Sequence, residues 1–177
     1  MKKSVKKIVS IALMTAVICV ISPFAITIPV SPVPVSLATF AIYLTVIILG
    51  LKDGTISVMV YVLLGFAGAP VFTGFAGGAG KVLGPTGGYI IGYIFLALIE
   101  GVFVEGARAK IFLGMVLGTI VLYLFGTVWL MYQAGLTLVS AFSVGVLPFV
   151  IGDIAKMIVA LFAGTKIRNV LIKSNLL

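Results

Sequence analysis

Most of the chain consists of long apolar segments, which are interrupted at glycine, proline and charged residues. A helix needs about 20 mostly apolar residues to cross the hydrocarbon core of a bilayer. Six segments come close to this length or exceed it, at residues 8–28, 35–51, 54–72, 87–104, 111–132 and 144–165. The pattern therefore predicts an all-α integral membrane protein with six transmembrane helices.

Composition strengthens this prediction. Of the 177 residues 62% are hydrophobic and 9% are charged, and the mean hydropathy is +1.36, whereas soluble domains contain about 45–50% apolar and about 25% charged residues. The first 25 residues resemble a signal peptide, but they lack a small-residue cleavage site and five more apolar segments follow. We expect a retained first helix and a single transmembrane domain over residues 1–177, located in the cell membrane.

The basic residues predict the orientation of the chain in the membrane. Ten of the twelve fall at the two termini or in the second and fourth loops, namely Lys2, Lys3, Lys6, Lys7, Lys52, Arg108, Lys110, Lys166, Arg168 and Lys173. In a six-helix protein these positions share one side, and the positive-inside rule places that side, with both termini, in the cytoplasm. The net charge of +8 is thereby explained by topology, and we expect no nucleic-acid partner.

The glycine-rich stretch "GGAGKVLGPTGG", residues 77–88, falls on the opposite, outer side. It is not a Walker A loop, because Phe75 and Val82 stand where that motif needs glycine and Ser or Thr. It is not a dinucleotide-binding motif either, because Leu83 replaces the last glycine. Long loops of this kind often close over ligands, although a flexible connector without a ligand is the alternative. Lys81 is interpreted as a surface charge of this loop.

Asp153 and Lys156 stand inside the last apolar segment. An ionisable residue near the bilayer centre costs about 2.5–3.5 kcal/mol on insertion scales, so such residues usually have a function. Their i, i+3 spacing places both on one face of a helix. The pair could bind a small anionic molecule that carries an amide or urea-like group. The alternative is a self-neutralising pair that only fixes helix packing.

Other candidates are weaker. Ala12 and Ala16 form a small-xxx-small step in the first segment, which permits close approach of another helix. Glu100 and Glu105 precede Arg108 and Lys110 and are interpreted as surface charges. The chain has no histidine and a single cysteine, Cys19, so the residue inventory supports neither an enzyme nor a metal site, and no cofactor is expected.

The segments "FAGGAGKVLGPTGGYIIGY" and "PFVIGDIAKMIVA" together resemble the BioY family, the biotin-specific S components of energy-coupling factor (ECF) transporters. The proline-rich "IPVSPVPVSLATF" and the segment "KDGTISVMVYVLLGFAGAPVF" extend the likeness over nearly the whole chain. The resemblance implies a six-helix S-component fold with biotin near the outer face, under the loops after the first and third helices. It also implies that Ala12 and Ala16 meet a transmembrane coupling subunit, and that two ABC ATPase subunits supply the energy.

The expected biotin-binding residues are Asp153, Lys156, Gly77, Gly78, Thr86, Gly87, Gly88 and Tyr89. Asp153 would accept hydrogen bonds from the ureido group and Lys156 would pair with a ligand oxygen, either ureido or carboxylate. Two positions depart from the family pattern, since alanines at Ala38 and Ala76 replace amide side chains. Another vitamin or a precursor such as dethiobiotin, or a membrane scaffold without a ligand, are the alternative functions.

Overall fold

The computed structural model of the protein describes residues 2–26, 33–174 and 176. Helices dominate this part of the chain, and two short strands pair antiparallel, with Ala25 opposite Ser36. The elements are α1 (Lys2–Ile21), β1 (Ala25–Ile26), β2 (Val35–Ser36), α2 (Ala38–Phe66), α3 (Ala79–Val82), α4 (Gly87–Phe103), α5 (Arg108–Ala134), α6 (Leu138–Gly145) and α7 (Leu147–Lys173). The prediction of an all-α protein is confirmed.

Helix α2 is a hairpin of two arms, because its helical geometry breaks at Gly50. This residue has φ 82° and ψ −176°, a conformation that glycine adopts without steric cost. A Cβ placed on Gly54 would lie 2.9 Å from the Cα of Val46, although residues eight apart are about 12 Å apart along a continuous helix. Residues 38–49 and 51–66 therefore pack side by side. With α1, α4, α5 and α7, the two arms make the six predicted membrane helices.

The lengths of the helices agree with a membrane location. By length and composition, three helical segments of the described chain could cross a bilayer, namely Ala38–Phe66, Arg108–Ala134 and Leu138–Lys173, the last of which joins α6 and α7. Helix α4 is a shorter apolar helix. The first predicted segment, 8–28, ends beyond α1 at residues that lie outside the described part.

The basic residues gather at one end of the helix bundle. Lys7 lies 3.0 Å from Asp53, and Arg168 donates hydrogen bonds to the carbonyl oxygens of Ile47 and Ile48, at 3.0 and 3.1 Å. Arg168 also pairs with Glu105 at 2.7 Å. The start of α1, the turn of α2, the link between α4 and α5 and the end of α7 thus share one end, called here the basic end. The opposite end is called the loop end.

The structure contradicts the interpretation of Glu100 as a surface charge. Its side chain is completely buried, and neither carboxyl oxygen has a hydrogen-bond partner in the described part of the chain. Glu105, which is 82% exposed and pairs with Arg168, does behave as a surface charge. The difference arises because α4 continues to Phe103, so Glu100 still belongs to the packed helix. The neighbouring Gly101 would place a Cβ 2.6 Å from the Cα of Leu51.

Candidate ligand-binding site

A cavity opens at the loop end, between α2, α4, α5 and α7. Its empty volume is about 610 Å³, which includes the open mouth. Its apolar and aromatic walls come from Tyr61, Phe72, Tyr89, Tyr93, Leu122 and Phe149. Its polar lining includes Ser36, Thr39, Lys81, Thr86, Tyr123, Asp153 and Lys156. A mainly apolar wall with a few convergent polar groups is the usual composition of a ligand pocket.

Asp153 is the centre of a buried polar cluster. Its Oδ1 accepts hydrogen bonds from Lys156 Nζ at 2.8 Å and from Thr39 Oγ1 at 3.1 Å. Its Oδ2 accepts a hydrogen bond from the Tyr123 hydroxyl at 2.5 Å. The Asp153 residue is only 4% exposed. Three helices, α2, α5 and α7, therefore hold this carboxylate in one orientation.

Lys156 connects the polar cluster to β2, the strand before α2. Its Nζ donates to the carbonyl oxygen of Ser36 at 2.6 Å, to Thr39 Oγ1 at 3.2 Å and to Asp153 at 2.8 Å. An ammonium has three N–H groups, so all of them are used within the protein. A carboxylate has about four lone-pair positions, and the contacts above fill three. One acceptor position, on Asp153 Oδ2, remains for a ligand donor.

Four of the predicted ligand-binding residues line this cavity, namely Asp153, Lys156, Thr86 and Tyr89. The Tyr89 hydroxyl donates to the carbonyl oxygen of Gly145 at 2.9 Å. The ring fits because Gly126 has no side chain, and a Cβ there would lie 2.2 Å from Tyr89 Cε1. Tyr89 thus contributes an aromatic ring in a fixed position to the cavity wall, and its hydroxyl group already has a hydrogen-bond partner.

Three of the four predicted glycines, Gly77, Gly87 and Gly88, are in close packing contacts, whereas a Cβ on Gly78 would meet no atom within 4 Å. A Cβ on Gly77 would lie 2.2 Å from the carbonyl oxygen of Ala69, and one on Gly88 would lie 2.3 Å from Trp129 Cβ. The backbone N–H of Gly78 donates to Gly65 at 2.7 Å, and that of Gly87 to Gly84 at 2.9 Å. Ligand binding through these N–H groups stays a prediction, and it would require Gly78 and Gly87 to exchange their present partners.

Described residues of two loops line the cavity, and the two loops contact each other. The backbone N–H of Gly74 donates to the carbonyl oxygen of Pro23 at 2.9 Å. The rings of Phe24 and Phe75 pack edge to face with centroids 5.6 Å apart. Phe72 anchors the glycine-rich loop, because it is 1% exposed and packs edge to face on Tyr61 at 5.5 Å. These contacts connect the loop after α1 to the loop after α2.

Several residues of the polar cluster were not predicted from the sequence. Thr39 and Tyr123 were missed because both residue types also occur in membrane helices without a functional role. Ser36 contributes a backbone carbonyl, which no side-chain pattern reveals. Lys81 was interpreted as a surface charge, yet it lines the cavity. Its position inside the glycine-rich stretch was the available signal.

The remaining predicted positions lie elsewhere. Ala12 and Ala16 are exposed on α1, as a contact surface for another helix requires. Ala38 is completely buried and its backbone N–H donates to Ser36 Oγ at 2.9 Å. Ala76 forms a backbone bridge with Phe72. Neither Ala38 nor Ala76 is among the described residues that line the cavity.

The protein has six membrane helices, which enclose a small cavity at one end, and the polar cluster around Asp153 lines part of that cavity. This arrangement defines a membrane-embedded binding protein. The chain matches the BioY family over residues 1–173, and it belongs to this family. It is 39% identical to the probable biotin transporter BioY of Pyrococcus horikoshii, over 81% of this chain and 86% of the relative. It is 38% identical to the biotin transporter BioY of Thermotoga maritima over the same shares.

A solved structure agrees with this assignment. The fold is similar to that of the S-component for biotin from an ECF-type ABC transporter, with a TM-score of 0.88 and 32% sequence identity. The superposition covers 95% of this chain and 93% of that chain. The expectation of an S-component fold, drawn from the sequence motifs, is confirmed.

Proposed function

We propose that this protein captures biotin at the outer face of the membrane and acts as the substrate-binding subunit of an ECF-type ABC transporter. The observation that carries the proposal is the Asp153 carboxylate, which lines the cavity, is fixed by three helices and keeps one acceptor position that no described residue fills. Family membership and the names of the relatives support biotin as the ligand. In this role the protein is a transport subunit and not an enzyme.

The ureido group of biotin has two N–H donors and one carbonyl acceptor, and this matches the Asp153–Lys156 pair. An N–H group would take the open position on Asp153 Oδ2. The ureido carbonyl would take one Lys156 N–H in exchange for Ser36 or Thr39. The fused rings would then lie against the aromatic wall that includes Tyr89, Tyr93 and Phe149.

Transport requires partners. The basic end would face the cytoplasm, which follows the positive-inside rule, and the loop end would receive biotin from outside. A transmembrane coupling subunit would dock on the α1 surface around Ala12 and Ala16, and two ABC ATPase subunits would drive reorientation. The glycine-rich stretch lacks the spacing of a nucleotide site, so ATP hydrolysis is assigned to those partners.

Calorimetric titration of the purified protein with biotin and dethiobiotin tests the proposal. We expect tight binding of biotin, and a loss of about ten- to hundredfold in affinity for Asp153→Asn, because a hydrogen bond to a charged group contributes about 1.5–3 kcal/mol. Lys156→Ala should also weaken binding. Asp53→Asn, the same substitution at the basic end, is the matched control and should bind like the wild type.

Three other outcomes would overturn parts of the proposal. Unchanged affinity in folded Asp153→Asn and Lys156→Ala variants would contradict the site. Tighter binding of dethiobiotin than of biotin would change the substrate. A folded wild-type protein that binds neither compound, and that tolerates exchange of Asp153 and Lys156 with each other, would favour a packing pair in a membrane scaffold.

A further inference from the structure

We propose that Lys81 binds the carboxylate at the tail end of the ligand, which gives the cavity two separate recognition points. The Asp153–Lys156 pair would bind the urea group, and Lys81 would bind the carboxylate of the tail. This inference rests on the proposed function, and it assigns the ligand's two polar ends to different residues.

Asp153 and Lys156 neutralise each other at 2.8 Å, so together they offer no net positive charge to an anionic ligand. A ligand carboxylate placed at this pair would lie close to Asp153 and be repelled by it. The anionic end of the ligand is therefore better accommodated elsewhere.

Among the described lining residues the charged ones are Asp153, Lys156 and Lys81. Lys81 is half-buried, and none of the described hydrogen bonds and salt bridges involves its ammonium group. It thus supplies the positive charge that the Asp153–Lys156 pair lacks.

Lys81 stands on the short helix α3, and contacts fix both flanks of that helix. On one side the backbone N–H of Gly78 donates to the carbonyl oxygen of Gly65 at 2.7 Å. On the other side Gln133 Nε2 donates to the carbonyl oxygen of Leu83 at 2.9 Å, and Trp129 Nε1 to that of Gly84 at 2.8 Å. The backbone that carries Lys81 is thus held in place before the ligand arrives, which favours binding.

The geometry is compatible with an elongated ligand. Asp153 belongs to α7 and is buried within the bundle, whereas Lys81 belongs to the glycine-rich loop. A molecule with a urea-containing ring at one end and a carboxylate at the end of an aliphatic tail would reach from one to the other. The aromatic side chains that line the same cavity, Tyr89 and Tyr93 among others, would pack on the apolar middle of the ligand.

The test compares biotin with biotinamide, in which a neutral amide replaces the carboxylate. In the wild-type protein we expect biotin to bind about tenfold more tightly than biotinamide, a typical gain for a hydrogen bond to a charged group. In Lys81→Ala the affinity for biotin should fall by about the same factor, while the affinity for biotinamide should fall by much less, because a neutral amide gains less from a positive charge. Retained biotinamide binding also shows that the variant is folded. Lys52→Ala, which removes one positive charge at the basic end, should keep the wild-type preference.

The outcomes separate this inference from the proposed function. If the wild-type protein binds biotin but Lys81→Ala keeps the full preference for biotin over biotinamide, the inference is wrong and the proposed function stands. If the preference disappears in Lys156→Ala and not in Lys81→Ala, the carboxylate lies at Lys156 instead. If the wild-type protein binds neither compound, the proposed function fails and this inference fails with it.

Discussion

Glu100 places a carboxyl group in the packed interior of a membrane protein with no hydrogen-bond partner in the described part of the chain. A buried polar group without a partner costs about 1–3 kcal/mol, and more if it is charged. A side chain of similar shape without polar atoms would avoid this cost. Methionine is such a side chain, and its helix propensity is close to that of glutamate.

Glu100→Met is therefore expected to stabilise the fold by about 1–3 kcal/mol. The measurement is the midpoint of thermal unfolding in detergent, which should rise. Glu105→Met is the matched control on an exposed residue. Because that variant loses only a surface ion pair with Arg168, its stability should change by less than about 1 kcal/mol. A lower midpoint for Glu100→Met would show that this carboxyl group makes a stabilising interaction in the folded protein.

The site could be predicted from the sequence only where a residue is unusual for its surroundings. Asp153 and Lys156 were found because ionisable residues are rare inside apolar segments. Thr39 and Tyr123 were not found, because their contacts with Asp153 depend on how three helices pack. Glu100 was misjudged because its proximity to Arg108 in the sequence suggested an exposed position, whereas the packing of α4 buries it.

At the scale of elements, the helices were predictable and their ends were not. The six apolar segments correspond to six helices, but α7 extends to Lys173, beyond the predicted end at residue 165. The reason is that lysine and arginine are good helix formers, so the helix continues after the apolar segment ends. Most of helix α6 (Leu138–Gly145) falls between the predicted segments 111–132 and 144–165. It begins at the cap Thr137, whose side chain accepts a hydrogen bond from the Ser140 backbone N–H.

Helices α4 and α5 approach each other closely through glycines. A Cβ on Gly88 would lie 2.3 Å from Trp129 Cβ, and one on Gly92 would lie 2.7 Å from Leu122 Cδ1. The two glycines form a G-xxx-G step, which permits close contact between membrane helices. Trp129 Nε1 also donates a hydrogen bond to the carbonyl oxygen of Gly84. The packing of Gly88 on Trp129 therefore also helps to fix the position of the glycine-rich loop.

Gly88→Ala should therefore force the two helices apart. Inserting a methyl group into packed interiors typically costs about 1–3 kcal/mol, so we expect a lower midpoint of thermal unfolding and weaker biotin binding. Gly80→Ala is the control in the same loop region, because a Cβ there would meet no atom within 4 Å. It should leave both quantities close to wild type. Equal behaviour of the two variants would contradict the packing role of Gly88.

At the scale of the whole molecule, the two ends of the bundle differ in their chemistry. The loop end has the cavity and the glycine-rich loop, while the basic end has the termini and the ion pairs of Lys7 and Arg168. Between them, α1 exposes Ala12 and Ala16 together with Leu13 and Val20. A small-residue surface on a peripheral helix suits contact with another membrane subunit. Binding of the ligand and assembly with partners would then use separate surfaces.

Substitution of the α1 surface can separate these two activities. Ala16→Phe would place a large side chain where a partner helix should approach closely, so we expect loss of the coupling subunit in co-purification and loss of biotin uptake in cells that supply the partner subunits. Biotin affinity of the isolated protein should stay at the wild-type value, because Ala16 is not among the described residues that line the cavity.

The control for this experiment is Ala155→Phe, which makes the same change at an exposed alanine on α7. If general crowding in the membrane caused the defect, both variants would lose uptake. If α1 is the docking surface, Ala155→Phe should keep both co-purification and uptake. Full uptake by Ala16→Phe would place the partner on another face of the bundle, and a loss of biotin affinity in that variant would mean that α1 and the cavity are coupled. Only a defect in assembly, with binding intact, agrees with a protein that captures its ligand at one end and depends on a partner for transport.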